Sequence, residues 1–169
     1  MEAAAASTSG TGSETMADLV PLAAARYGDA PALRHRGAER WEDVSYAELG
    51  RAVAETAAGL VDLGLAPGDR VSILSHSRPE WTYANFAILC AGLVSVSIYQ
   101  TNSPEECHYV LEHSESRAVF CEDAEQVAKV RAVADRLPRL EHVIVFDPSG
   151  DTEDAIALAD LRARGAAAD

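Results

Sequence analysis

Three groups of residues in this sequence have the types and spacing that chemistry uses. The run Ser7-Thr8-Ser9-Gly10-Thr11-Gly12-Ser13 carries the hydroxyls and open backbone N–H groups of a phosphate-binding loop. Such a loop needs a strand before it and a lysine behind it, and this run has neither. It reads as a flexible linker. Cys107, His108, His113 and Cys121 combine thiols and imidazoles of the kind that bind zinc. On the helix expected below, positions 107 and 113 lie on different faces, and Cys121 falls in a strand. Cys107 and His108 are adjacent and point about 100° apart on a helix, which separates a nucleophile from its base. A buried cysteine and helix-surface histidines are expected, with His113 suited to a helix C-terminus.

The third group, Tyr99-Gln100-Thr101-Asn102-Ser103, is the strongest candidate. It follows the C-terminal end of an expected parallel strand, where open α/β sheets place ligands. Ser103 is explained as a helix cap, which leaves Tyr99, Gln100 and Thr101 as the residues that could line a substrate site. Asp69-Arg70 and Glu80 read as turn chemistry and surface charge, and Trp81 as core packing on an apolar helix stripe. Lys129 is the sole lysine and is expected on a helix surface. No residue is assigned a catalytic, cofactor-binding or metal-binding role.

The elements that carry these residues follow from periodicity and caps. Residues 1–14 are Ala-, Ser-, Thr- and Gly-rich and are expected to form a disordered leader, with the folded part covering 15–169. A helix over 15–27 is complicated by Pro21 and stopped by Gly28. Segments 32–35 and 40–44 flank a polar turn and suggest a small antiparallel hairpin. Ser45 and Glu48 form a capping box, and Leu49, Val53, Ala57, Leu60 and Val61 then recur on one helical face as far as Gly64.

From there helices and short apolar strands alternate. Strands are expected at 71–74, 93–99, 118–121 and 142–146. Between them lie a helix opened by Ser77 and Pro79, a second opened by Ser103, Pro104 and Glu106, and a third running 124–137 to Pro138. Asp154 is expected to cap a last helix through Leu161. Parallel neighbours need long return paths, and helices supply them, so residues 45–146 form an α/β layer of alternating helices and mainly parallel strands.

Composition narrows the function. With 48% hydrophobic and 24% charged residues the chain can bury a core. A formal net charge of −13 repels a phosphate backbone and argues against nucleic acid as a partner. Three cysteines without Cys-x-x-Cys spacing fit a reducing cytoplasm. No apolar stretch reaches the roughly 18 to 20 residues of a transmembrane segment, and no basic amphipathic helix offers an anchor to anionic lipid.

In order along the chain, Ser45-Tyr46-Ala47-Glu48-Leu49, Gly64-Leu65-Ala66-Pro67-Gly68-Asp69-Arg70-Val71, Arg78-Pro79-Glu80-Trp81, Gly92-Leu93-Val94 and Ser97-Ile98-Tyr99-Gln100-Thr101-Asn102-Ser103-Pro104-Glu105 resemble the N-terminal region of adenylate-forming, AMP-binding enzymes. The likeness is greatest to long-chain fatty-acid–CoA ligases and covers about residues 15–161. It implies the incomplete N-terminal part of the adenylate-forming fold. It also implies an acid–thiol ligase that uses ATP, Mg2+ and coenzyme A on a fatty acid substrate, by way of an acyl-adenylate.

In that family the chemistry relies on a Thr-Ser-Gly-Thr-Thr-Gly-x-Pro-Lys-Gly phosphate loop, an adenine- and ribose-binding set, and a lysine on a mobile C-terminal domain. The sequence ends before all three, so no catalytic or cofactor-binding residue carries over. A truncated, inactive piece is therefore expected, in the cytoplasm or peripheral to a membrane as part of the full-length enzyme. Its sheet should have an unpaired edge and an uncovered apolar face. The alternatives are a self-contained α/β binding or regulatory module and a piece of another carboxylate-activating enzyme.

Overall fold

The computed structural model describes residues 11–37 and 39–168. Most of the expected leader, including Ser7 to Gly10, lies outside the described residues. The first helix, α1 (Met16–Tyr27), opens on a capping box between Thr15 and Asp18. Pro21 sits inside it, has no N–H to give Ala17, and would leave that carbonyl bare. The Cys90 thiol fills the place, with Sγ 2.9 Å from the Ala17 oxygen. Strands β1 (Pro31–Arg36) and β2 (Trp41–Ser45) form the antiparallel hairpin, with Arg34 opposite Asp43 and ion-paired to it.

Helix α2 (Tyr46–Asp62) starts at the Ser45–Glu48 capping box. Its buried face centres on Leu49, Val53, Thr56 and Leu60. Val61 falls beyond the edge of that face and is 55% exposed, contrary to the inward placement expected of it. The remaining elements are β3 (Arg70–Leu74), α3 (Pro79–Cys90), β4 (Val94–Ile98), α4 (Pro104–His113), β5 (Ala118–Cys121), α5 (Ala124–Arg131), β6 (His142–Val145), β7 (Ile156–Ala157) and α6 (Leu158–Ala167).

The five strands run in the order β4-β3-β5-β6-β7, each parallel to its neighbour. The chain steps outward from β3 to β4, then returns across β3 to β5, so the order reverses between β3 and β5. At such a reversal the crossover helices leave on opposite faces and open a crevice at the carboxyl ends of the strands.

Both faces of the sheet are covered, unlike the exposed apolar face that a cut sheet would show. Val71, Ile73, Phe120 and Ile144 pack with Leu60 of α2, Ile88 of α3 and Leu161 of α6. Leu74, Val119, Cys121 and Val145 pack with Leu111 of α4 and Val127 and Val130 of α5. The unpaired edge is present as expected: among the described residues β4 pairs with β3 alone, and its Val94 is 45% exposed.

Three boundaries depart from the sequence reading. Arg78 rather than Ser77 is the N-cap of α3, and it makes no side-chain cap bond because a guanidinium offers no acceptor to the helix N–H groups; it donates to Glu80 instead. The expected helix 124–137 ends at Arg131 and is followed by a 3-10 turn, Ala134–Arg136. That tighter turn keeps Val133 and Leu137 in the core ahead of Pro138. Asp154 caps nothing, since Arg131 takes its carboxylate together with that of Asp151. The last helix instead begins at Leu158, directly after the two-residue strand β7.

Candidate functional site

An open cleft of about 620 Å³ lies at the carboxyl ends of β3 and β4. One wall is the exit of β3, with Ser75, His76 and Ser77, and the other is the exit of β4, with Ser97, Ile98, Tyr99 and Gln100. Trp81, in the first turn of α3, lies between them. It also packs against the core, so the expected core role covers only part of what it does.

The β4 wall turns sharply. The Asn102 N–H donates to the Tyr99 carbonyl at 3.0 Å, and Ser103 then opens α4 through a capping box with Glu106. Tyr99 is left 78% exposed. The Gln100 carbonyl accepts a bond from Lys129 Nζ at 2.6 Å, and that ammonium lies 3.4 Å from Glu125. Lys129 is thus folded inward from α5, with a side chain 17% exposed, rather than lying on the helix surface expected of it.

The β3 wall is held by Glu122, the residue just past β5. Its Oε2 accepts from the His76 backbone N–H at 2.7 Å and from the Ser75 hydroxyl at 3.3 Å, and it bonds His76 Nδ1 at 2.8 Å. Arg78 Nη1 stands 3.6 Å from its other oxygen. Burial works against this carboxylate, yet the His76 donors and the nearby guanidinium outweigh it and hold its pKa below the ordinary range. With Nδ1 committed to Glu122, His76 Nε2 is the ring atom left without a partner among the described residues.

Of the three residues singled out from sequence, Tyr99 and Gln100 line the cleft, whereas Thr101 is exposed beside it. Asp69 and Arg70 sit at the start of β3, the opposite end of the sheet. Asp69 accepts from the Ala66 N–H at 2.8 Å and pairs with Arg117, while Arg70 donates to the Ser114 carbonyl at 2.7 Å. Cys107 and Cys121 are buried under α4 and α5, where burial pushes both thiols up. His108 corrects the surface placement expected of it: its side chain is 15% exposed and its Nε2 is buried without a partner. His113 stacks on Tyr109 with ring centroids 5.6 Å apart. Among the described residues no three His, Cys, Asp or Glu side chains converge as a metal set.

Ser75, His76, Ser77, Glu122 and Lys129 were given no place in a site from sequence, Ser77 being read only as a helix start and Lys129 only as a helix-surface residue. The rule that selected Tyr99 would have found the first four, since they too follow the carboxyl ends of parallel strands. Nothing local marks Lys129, whose partner lies 29 residues away.

A cleft at the carboxyl edge of a parallel sheet occurs in many folds and does not by itself name one. The sequence profile described as AMP-binding enzyme matches residues 21–166. The chain belongs to the AMP-binding enzyme family. Among curated relatives, the long-chain-fatty-acid–CoA ligase heimdall of Drosophila melanogaster is 36% identical over 135 residues, which are 78% of this chain and 20% of the relative. The long-chain-fatty-acid–CoA ligase FadD15 of Mycobacterium bovis is 39% identical over 110 residues, 65% of this chain and 18% of the relative. The chain spans about a fifth of the length of these relatives.

Solved structures agree in fold. The A-PCP didomain of carboxylic acid reductase from Segniliparus rugosus, in complex with AMP, superposes with a TM-score of 0.82 at 20% identity, covering 94% of this chain and 28% of that one. The anthranilate CoA ligase AuaEII, in complex with anthranoyl-AMP, gives 0.78 at 22% identity, covering 88% of this chain and 27% of that one.

Proposed function

We propose that this chain is the N-terminal portion of the AMP-binding domain of an ATP-dependent long-chain fatty-acid–CoA ligase. The reaction joins a fatty acid to coenzyme A: the carboxylate attacks the α-phosphate of ATP and releases pyrophosphate, and the thiol then displaces AMP from the acyl-adenylate. The observation that supports this most is the identity of 36% over 135 residues to a ligase named for that substrate class.

Within this chain, Tyr99 and Gln100 are the residues proposed to line a ligand, with Thr101 at the rim of the same loop. The described residues do not fit the ATP phosphates or their metal: Lys129, the one lysine, is bound to the Gln100 carbonyl and Glu125, and no acidic set converges. No step through ATP, Mg2+ or coenzyme A is therefore assigned to this segment, and its contribution is the cleft. No described helix is long and apolar enough to cross a membrane. Cys90, Cys107 and Cys121 are all free thiols, which suits the reducing cytoplasm where we place the enzyme.

The test is fatty-acid-dependent ATP–pyrophosphate exchange and thioester formation by the whole protein that carries this segment. Exchange with palmitate is expected in the whole protein, and none in the isolated 169-residue chain. Exchange with an aryl acid and not with palmitate, or clear exchange by the isolated chain, overturns the reading.

A further inference from the structure

The two walls of the cleft leave adjacent strands, and the β3–β4 ladder that fixes their spacing ends at Leu74 and Ile98. Beyond those residues no side-chain hydrogen bond spans the cleft among the described residues. Both walls are instead tied to the β5–α5 segment. Glu122, at the end of β5, holds the β3 exit through His76 and Ser75, and Lys129, on α5, holds the β4 exit through the Gln100 carbonyl.

We propose that Glu122 and Lys129 are positioning residues for this cleft, and that the β5–α5 segment sets its width by strapping both walls. The inference rests on the reading that the cleft lines a ligand of an AMP-binding enzyme. Each strap is a charge-assisted bond to a main-chain group, of the kind worth roughly twice a neutral one. Each also lands where the regular backbone pairing stops, so neither merely reinforces the sheet. Lys129 makes the case most clearly. An ammonium is strongly hydrated and is usually left in water, yet this one is largely withdrawn from solvent to reach a carbonyl on another element.

A site held at its binding width loses less order when its ligand arrives, so relaxing the straps should weaken binding more than it slows chemistry. Lys129→Met keeps the length of the stem and removes the charge, while Lys129→Arg restores it. In the 169-residue chain, hydrogen exchange at the Asn102 amide, which closes the turn that contains Gln100, is expected to quicken about tenfold in K129M. Amides of α2 and α3 should keep their protection, and K129R should return Asn102 most of the way to the native rate.

In the whole protein, K129M should raise KM for one of the three substrates by roughly tenfold with kcat changed by less than about threefold. Glu122→Gln should raise KM for the same substrate, because it loosens the facing wall. Unchanged exchange at Asn102 overturns the proposal. So do KM values that stay native for acid, ATP and coenzyme A alike, and so does a K129M chain that loses protection throughout, which would make Lys129 a folding residue. The kinetics use whichever carboxylic acid supports exchange. A failure with palmitate therefore counts against the fatty-acid reading and leaves this comparison to be judged on its own.

Discussion

Pro21, Ala17 and Cys90 show how one residue's defect is met by another far along the chain. A proline in a helix interior costs about 3 kcal/mol or more, partly through the carbonyl it leaves without a donor. The Cys90 thiol, half-buried on the last turn of α3, donates to that carbonyl and so joins α1 to α3. Burial, with a smaller push from Asp18, raises the Cys90 thiol pKa and keeps the donating form in place at neutral pH. Cys90→Ala should therefore destabilise the chain by about 1 to 2 kcal/mol, since it leaves a partly buried carbonyl unsatisfied and removes a packed sulfur atom. Cys90→Ser should cost less, because the hydroxyl still donates. Urea denaturation measures both, and equal losses would show that packing rather than the hydrogen bond decides. Pro21 was legible as a problem in the sequence. Its remedy was not, because the pairing spans 73 residues and no local pattern predicts it.

Helices were readable where their caps are local. Ser45 with Glu48 and Ser103 with Glu106 fold into the reciprocal boxes their spacing predicts. The reading failed where a tertiary partner took the capping residue, as Arg131 takes Asp154. The helix so displaced is α6, whose place is set by close approach to α2. A Cβ added at Gly165 would lie 1.9 Å from the Glu55 carbonyl oxygen, and one at Gly59 would lie 2.4 Å from that of Leu161. Those obstacles are main-chain atoms that no rotamer change can move. Arg162 with Glu55 and Arg164 with Asp62 flank the contact, but such partly exposed pairs contribute about 0 to 1 kcal/mol each. Backbone approach therefore dominates. Gly165→Ala should cost at least about 2 kcal/mol, toward the upper part of the range for overpacking, and should release Leu161 from the core. Replacing Arg164 by Ala should cost under about 1 kcal/mol. Comparable losses in the two variants would mean that the ion pairs, and not the glycines, hold α6.

At the scale of the whole chain, the alternation of strands and helices was legible because parallel strands buried on both faces read as short apolar runs. The layout of the cleft was legible only in part. Tyr99 and Gln100 follow a strand end, but Glu122 and Lys129 act across the strand order β4-β3-β5, which depends on where each crossover lands. That order also bears on how the chain unfolds. Alternate residues of β3, β5 and β6 serve different cores: Ile73, Phe120 and Ile144 face α2, α3 and α6, while Leu74, Cys121 and Val145 face α4 and α5. Neither core can dissolve without stripping one side of the strands that the other requires. The smaller cluster under the hairpin is joined to the first core through α2 and α3, which supply Leu49, Val53 and Phe86. A broad transition with exposed apolar surface, the behaviour of a sheet with one bare face, is therefore not expected. The 169-residue chain should melt in one cooperative step, with equal calorimetric and van't Hoff enthalpies and little dye binding before the transition. Near- and far-ultraviolet dichroism should fall together. Loss of the near-ultraviolet signal tens of degrees earlier would show that the covered faces are not packed as described, and that this segment takes its fixed structure only against other parts of a longer protein.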